Sequence, residues 1–332
     1  MKKTSVFRSI IRSKSIPLLI VLAAVLGLFY VVKPAYLSPN NIRNIMNVCS
    51  ITGMIAIGMG VLLISGNIDL SAASIGMFAS VILAILMSAG THWIPALIIA
   101  VLFGVAAGTV NALLSFRLKI MPFIVTIAMA SFWQGLGGFV TNNQSIPIAS
   151  ASFGAIGSYK VFGWFPLPFV IYAALALIYG YILTSTNFGR KIFMCGGNPT
   201  AAHLAGINVR RINFILMVNC GAISALSGCI HAAKIKTVSC TSILGTDFDS
   251  ITACCLGGIA FMGGEGGMLG ALLGVLLLGS FKNGLTIVGF STYWQLVVSG
   301  VLLVVALSVD YASTRLRSRA IGKRGNRHYE VV

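Results

Sequence analysis

Uncharged apolar stretches alternate along the chain with short polar segments, the pattern of helices that cross a bilayer, since a span needs about 20 mainly apolar residues. Ten stretches satisfy or approach that length: residues 16–32, 44–65, 69–89, 93–115, 121–141, 164–185, 212–232, 248–262, 267–289 and 292–310. The eighth is short, and glycines crowd around it at Gly257-Gly258 and through Gly263-Gly264-Glu265-Gly266-Gly267. A broken or re-entrant segment is expected there rather than one straight rod. The first run follows Lys2, Lys3, Arg8, Arg12 and Lys14 in the manner of a signal peptide. It ends Tyr30-Val31-Val32-Lys33-Pro34 with no small-x-small cleavage site, and is read as a retained first span.

Composition agrees with this pattern. The 332 residues are 57% apolar and 9% charged, with a mean hydropathy of +0.95, against roughly 25% charged residues in a soluble domain. So few charges cannot cover a soluble surface, and lipid is the solvent for most of the chain. The net charge of +17 invites a nucleic-acid reading. The basic residues, however, gather at the two ends and in three short internal places, with no basic stripe and no interleaved aromatic platform, which excludes nucleic acid as a partner. The seven cysteines fall mostly inside apolar runs without a CxxC pair, and the four histidines are scattered. They read as small packing residues, with no metal site and no disulfide framework.

Lys and Arg placement sets the expected orientation. With ten spans and the N-terminus inside, seventeen of the 23 basic residues fall on the inner side. They include Arg117, Lys119, Arg190, Lys191, Arg210, Arg211 and the six of the tail. Lys33, Arg43, Lys160, Lys234, Lys236 and Lys282 are counted outside. The expectation is an all-α membrane protein, one transmembrane domain over residues 1–332. Its basic segments 1–15 and 311–332 would both be cytoplasmic. The two halves resemble each other weakly. Ile64 to Ser71 runs into a small-residue helix, and Asp249-Ser250-Ile251-Thr252-Ala253 runs into the glycine-rich break and another. Interrupted segments at matching places in two halves point to a transport pathway.

Acidic residues are few: Asp69, Asp247, Asp249, Glu265, Asp310 and Glu330. A carboxylate near a span needs a reason. Asp69 is expected to cap the third helix by accepting from the amide of Ser71 or Ala72, which is compatible with facing cargo, because a half-helix N-terminus in a cavity both needs a cap and attracts polar groups. Asp247 and Asp249 are read likewise in the first turn of the eighth span. Asn111, Trp133, Gln134 and Asn219 sit well inside spans, and aromatic faces with amides suit a neutral polyol, though Trp133 and Gln134 equally suit an interhelical contact. The candidate pathway residues are therefore Asn67, Asp69, Ser71, Asn111, Trp133, Gln134 and Asp249.

The polar segment 187–210 is the most informative. Asn198 suits an N-cap, Pro199 the first helical position and Gly206 a left-handed stop, so a two-turn helix bracketed by Arg190-Lys191 and Arg210-Arg211 is expected on the inner face. A mere connector needs no such helix, whereas a docking element for a cytoplasmic partner does. No GxxxxGK[ST] motif occurs in the chain, so if ATP drives this protein another chain binds it.

Five segments, spread over about residues 40–310, carry a family resemblance. Gly66-Asn67-Ile68-Asp69-Leu70-Ser71 resembles GGIDLSVGS. Asn111 through Thr126, ending Pro122-Phe123-Ile124-Val125-Thr126, resembles NGxL…PPFIVTL. Gly196-Gly197-Asn198 with Ala201-Ala202 and Gly206-Ile207 resembles GxNxxAAxxxGI. Asp247 through Ala253 with Gly257-Gly258 resembles ELDAIAAVVIGG, and Gly263 through Gly274 resembles SGGxGxxxGTxxG. In this order they resemble the ribose/xylose/galactose-type permeases of bacterial ATP-binding-cassette importers. Asn67, Ala72-Ala73, Ala112, Met121 and Ala128 depart from the family pattern, and the motifs say little about which pentose, hexose or related polyol is carried.

The resemblance implies a pathway that works by alternating access, formed by two permease copies, identical or similar. It implies two cassette ATPase subunits that bind ATP and Mg, and an extracytoplasmic sugar-binding protein. The 187–210 loop would be the coupling element, with Arg190, Gly196, Gly197, Asn198, Ala201, Ala202 and Gly206 docking on the ATPase. A stand-alone secondary transporter is the rival reading; it would want a titratable relay inside the membrane, which is nearly absent here. No HExxH, carboxylate pair or Ser/His grouping suggests an enzyme.

Overall fold

A computed structural model describes residues 15–308 and Tyr311. The basic N-terminus and nearly all of the tail lie outside the described residues. The chain is built from α1 (Ser15–Val32), α2 (Pro39–Ile64), α3 (Ala72–Ser88), α4 (Trp93–Ala112), α5 (Pro122–Thr141), α6 (Ala151–Ser158) and α7 (Leu167–Ser185). They are followed by α8 (Asn187–Gly197), α9 (Pro199–Leu204), α10 (Val209–Ile235), α11 (Thr246–Leu256), α12 (Met268–Val288) and α13 (Thr292–Ser308). Six helical runs are long and apolar enough to cross a membrane: α2, α4 with the π turn Leu113–Arg117 that follows it, α5, α7, α10 and α12. Helices α1, α3 and α13 are shorter and apolar.

The helices start where the sequence offers caps. The Ser38 hydroxyl accepts from the Asn41 amide ahead of Pro39, and Thr186, Asn198 and Asn208 do the same for α8, α9 and α10. The eighth expected span is an 11-residue helix, α11, followed by irregular chain to Gly267. The expected break is present because Gly258, Gly263, Gly264 and Gly266 all take positive φ, where a side chain would be strained. Sequence reading expected one short helix in segment 187–210. The structure has two, since the Thr186 cap starts α8 before Asn198 starts α9.

Helix α2 is the axis: 83% of its apolar window is buried, against 22% for α5 and α7, which lie at the rim of the bundle. Two helices bond to its carbonyls through side chains. Ser227 Oγ of α10 donates to Ile51 O (2.9 Å), while Ser250 Oγ and Cys254 Sγ of α11 donate to Thr52 O (3.1 Å) and Ala56 O (3.3 Å). Close approach elsewhere depends on small residues, as it does where no hydrophobic force separates helix from lipid. A Cβ on Gly228 of α10 would stand 1.9 Å from the Gly76 carbonyl oxygen of α3. All seven cysteines are buried, and none is in a disulfide.

Strands are confined to connections. β1 (Ile146–Pro147) pairs antiparallel with β4 (Thr237–Val238), and β2 (Lys160–Val161) with β3 (Phe165–Pro166). The first pair ties the connection after α5 to the one after α10, and α6 packs on α10 beside it. There a Cβ on Gly157 would meet the Lys234 backbone at 2.4 Å.

Candidate functional site

Asp69, Ser71 and Asn111, far apart in sequence, form one buried cluster between α3 and the end of α4. Asp69 Oδ1 accepts from the Ser71 amide (2.9 Å) and hydroxyl (2.5 Å), and Asn111 Nδ2 donates to Ser71 Oγ (2.7 Å). All three residues are fully buried. The cap expected from sequence is therefore made, to Ser71. It leaves Asp69 Oδ2 and Asn111 Oδ1 without a donor, and a buried acceptor left unpaired costs about 1–3 kcal/mol. Asn67 stands half-buried beside the cluster, its amide donating to Ser65.

The other candidates sit elsewhere. Trp133 is packing: its ring stacks on Phe78 (5.6 Å) and meets Phe103 edge-on (4.9 Å), joining α5 to α3 and α4, with Nε1 unpaired. Gln134 is exposed on the outer face of α5. Asn219 accepts from the Tyr179 hydroxyl, an interhelical contact. Asp249 pairs with Lys282 at 2.6 Å. Lys282, counted with the outer loops in the sequence, lies inside α12 and brings its charge to α11. The pair lines a cavity of about 30 Å³ with Cys49 and Thr52, room for one or two waters and not for a larger solute. Lys282 and Thr52 carried no sequence signal, because nothing in a linear pattern pairs residues 33 positions apart.

Segment 187–210 packs on both chain breaks. The Gly264 amide donates to the Ile64 carbonyl (2.8 Å), bringing the turn before α12 onto the end of α2. Gly196, at the end of α8, fits into that junction. A Cβ there would stand 1.9 Å from Ile64 O and 2.6 Å from Gly264 N, and one on Gly263 would stand 2.8 Å from the Gly66 amide. The two breaks, 65–71 and 257–267, thus touch each other and segment 187–210 at one place.

Of the proposed docking residues, Arg190, Gly197, Asn198, Ala201 and Gly206 are exposed, Gly196 is half-buried and Ala202 is buried. Arg190 is held by Asn187 Oδ1. Asn198 Oδ1 accepts from the Ala201 amide at 2.9 Å, fixing the start of α9. Leu204, at the tip of α9, is 83% exposed. It is an apolar side chain presented beside a groove of about 460 Å³ lined by Pro199, His203 and Arg210. Its only sequence signal was one leucine amid a polar turn. Cys195 faces inward from α8, and burial pushes its thiol pKa up. Among the described residues no cluster of His, Cys, Asp or Glu could hold a metal.

Residues 41–307 match the family model described as branched-chain amino acid transport system / permease component. The ribose import permease protein RbsC of Escherichia coli K12 is 31% identical over 309 residues, covering 91% of this chain and 94% of that protein. The Bacillus subtilis RbsC is 33% identical over 296 residues, 86% and 91% of the two chains. The L-arabinose transport system permease protein AraH of Escherichia coli K12 is 33% identical over 279 residues, 81% and 82%. No solved structure matches the chain.

Proposed function

Because the chain belongs to this family of permease components, we propose that it is the membrane-spanning permease of an ATP-binding-cassette importer for a pentose, hexose or related polyol. The observation that carries the reading is likeness over nearly the whole chain to import permeases for ribose and arabinose. The spans alone also allow a stand-alone secondary transporter; full-length likeness to permease components sets that reading aside.

The chain crosses the membrane about ten times in two weakly repeated halves, with α11 and the turn after it as the broken crossing and both termini in the cytoplasm. It pairs with a second permease copy. The cavity at Asp249 is too small for a sugar ring, which supports a pathway assembled between copies. The unpaired acceptors of Asp69 and Asn111 suit the hydroxyl donors of a polyol once the bundle opens. Asn67, Ser71, Trp133, Gln134 and Asp249 complete the proposed pathway set.

Segment 187–210 seats on a cassette ATPase that binds ATP and Mg, through Arg190, Gly197, Asn198, Ala201, Gly206 and the exposed Leu204, with Gly196 and Ala202 holding the element to its own chain. An extracytoplasmic sugar-binding protein delivers cargo. Movement of α8 and α9 reaches both chain breaks through Gly196, and so switches the bundle between two packed arrangements.

The test is purification of the tagged chain from its native host, with Ala201→Arg and Leu204→Asp variants beside it. A cassette ATPase that accompanies the unmodified chain and leaves both variants is the expected result. ATPase retained by all three would sink the docking assignment, and a chain recovered alone from active membranes would sink the importer reading.

A further inference from the structure

A second cavity, of about 250 Å³, opens where α4 ends and α10 begins. Its walls carry three guanidinium groups, those of Arg117, Arg210 and Arg211, and its floor is Leu113, Phe116 and Phe214. Its level in the membrane is set by the spans themselves. The apolar run from Trp93 finishes at Arg117, and the run to Ile235 starts at Val209, one residue before Arg210. The cavity therefore sits where hydrocarbon gives way to headgroups.

The charge there is uncompensated. All three arginines are exposed, and none has an ion-pair or side-chain hydrogen-bond partner among the described residues. Helix α10 has no acidic residue in its first turn. Arg210 and Arg211 thus stand at the positive end of a 27-residue helix, where the macrodipole disfavours cations and favours an anion. The opposite wall is the π turn Leu113–Arg117, a distortion that recurs at functional sites. It carries Arg117 next to Phe116, so charge and apolar floor come from the same turn. One turn back along α4, Val110 is 39% exposed, and Leu113 is 43% exposed, so an apolar track leads from the cavity into the hydrocarbon.

We propose that this cavity binds the phosphate headgroup of an anionic glycerophospholipid, with the glycerol and the start of an acyl chain on Leu113, Phe116 and Phe214. Guanidinium forks suit phosphate oxygens. A zwitterionic lipid would carry a fourth cation into a site that already holds three. The apolar floor at the span ends favours a lipid over an acidic protein surface, because the exposed docking residues lie on α8, α9 and the turn after α9. The inference uses only the placing of α4 and α10 in the membrane and is independent of the cargo.

The experiment is native mass spectrometry of the intact permease complex titrated with dioleoylphosphatidylglycerol, with dioleoylphosphatidylcholine and inorganic phosphate as separate arms. Phosphatidylglycerol should be retained in preference to phosphatidylcholine. Arg117→Gln with Arg211→Gln should weaken it about 30-fold, at about 1 kcal/mol for each charge lost. Arg210→Gln, a single exposed change that leaves the apolar floor intact, should weaken it about 5-fold, and Lys191→Gln, which removes a charge elsewhere, should not. Equal retention of both lipids, or unchanged binding in the arginine variants, would overturn the site. Displacement of the lipid by phosphate alone would make it a free-anion site. Loss of the ATPase from the variants with lipid binding intact would hand the arginines to the partner.

Discussion

The amide of Gly264 and the carbonyl of Ile64, 200 positions apart, meet at 2.8 Å, and the backbone of Gly196 packs directly against both. Two consecutive glycines therefore have opposite tolerances. A methyl at Gly196 would press into backbone at 1.9 Å, which no rotamer can relieve, whereas one at Gly197 meets nothing closer than 3.9 Å. Gly196→Ala should cut uptake in proteoliposomes at least about 10-fold, the effect of a barrier raised by about 1.4 kcal/mol, while Gly197→Ala stays within about twofold. Equal loss in both would mean that the junction does not transmit motion.

The Asp249–Lys282 pair, with side chains 11% and 19% exposed, separates stability from transport. Removing one partner strands a charge, a change that costs about 3–5 kcal/mol in fully buried pairs and less here because both groups keep some exposure. Asp249→Asn and Lys282→Met should each lower the melting temperature in detergent, and the double variant should regain most of the loss. If Asp249 also meets cargo, the double variant will melt normally and import poorly. A double variant that imports normally removes Asp249 from the pathway.

Ser71 is the hinge of its cluster, donating to Asp69 and accepting from Asn111. Ser71→Ala should cost about 1–3 kcal/mol, by leaving two buried groups unpaired, and Ser71→Thr, which keeps the hydroxyl, should cost less. Thermal melts of the two variants side by side decide it. An alanine variant as stable as the serine protein would show that water replaces the hydroxyl.

Tyr36, buried in the short turn between α1 and α2, donates to the Ser280 carbonyl at 2.7 Å. Burial pushes its pKa up from 10.0 to about 12. Above pH 10 the unfolded chain releases this proton while the folded chain keeps it, so stability should fall as pH rises from 10 towards 12. Tyr36→Phe should be less stable at neutral pH and should flatten that alkaline fall. A fall of the same steepness in the phenylalanine variant would assign it to other groups.

Much of the architecture was legible because bilayer helices announce themselves by length. The third expected span, 69–89, contains α3, and the glycine-flanked eighth is broken as its composition indicates. Asn198-Pro199 likewise marks the start of α9. What stayed hidden was which helix lies at the centre. Helix α4 is as apolar as α2, yet lipid accepts an apolar face as readily as another helix does, so hydrophobicity cannot rank them by burial. The site residues divide on the same ground. Asp69 declared itself by charge in an apolar setting, whereas Trp133 carries the same letters whether it binds a sugar or stacks on Phe78. The Gly196 junction is a tertiary meeting of three distant turns and leaves only a motif behind.

The bonds that fix α2 carry a timetable. Ser227 reaches Ile51 across 176 positions, and a ribosome adding about 5–20 residues each second needs about 10–35 s to supply it. Through that interval α2 waits in lipid without its permanent neighbours, and its long uncharged run lets it wait safely. Helices α3 and α11, shorter and preceded or opened by carboxylates, have no such independence. Helix α2 is the post on which the last third of the chain is later hung, so a synthesis pause before α10 would leave a membrane intermediate that is anchored, apolar and not yet a transporter.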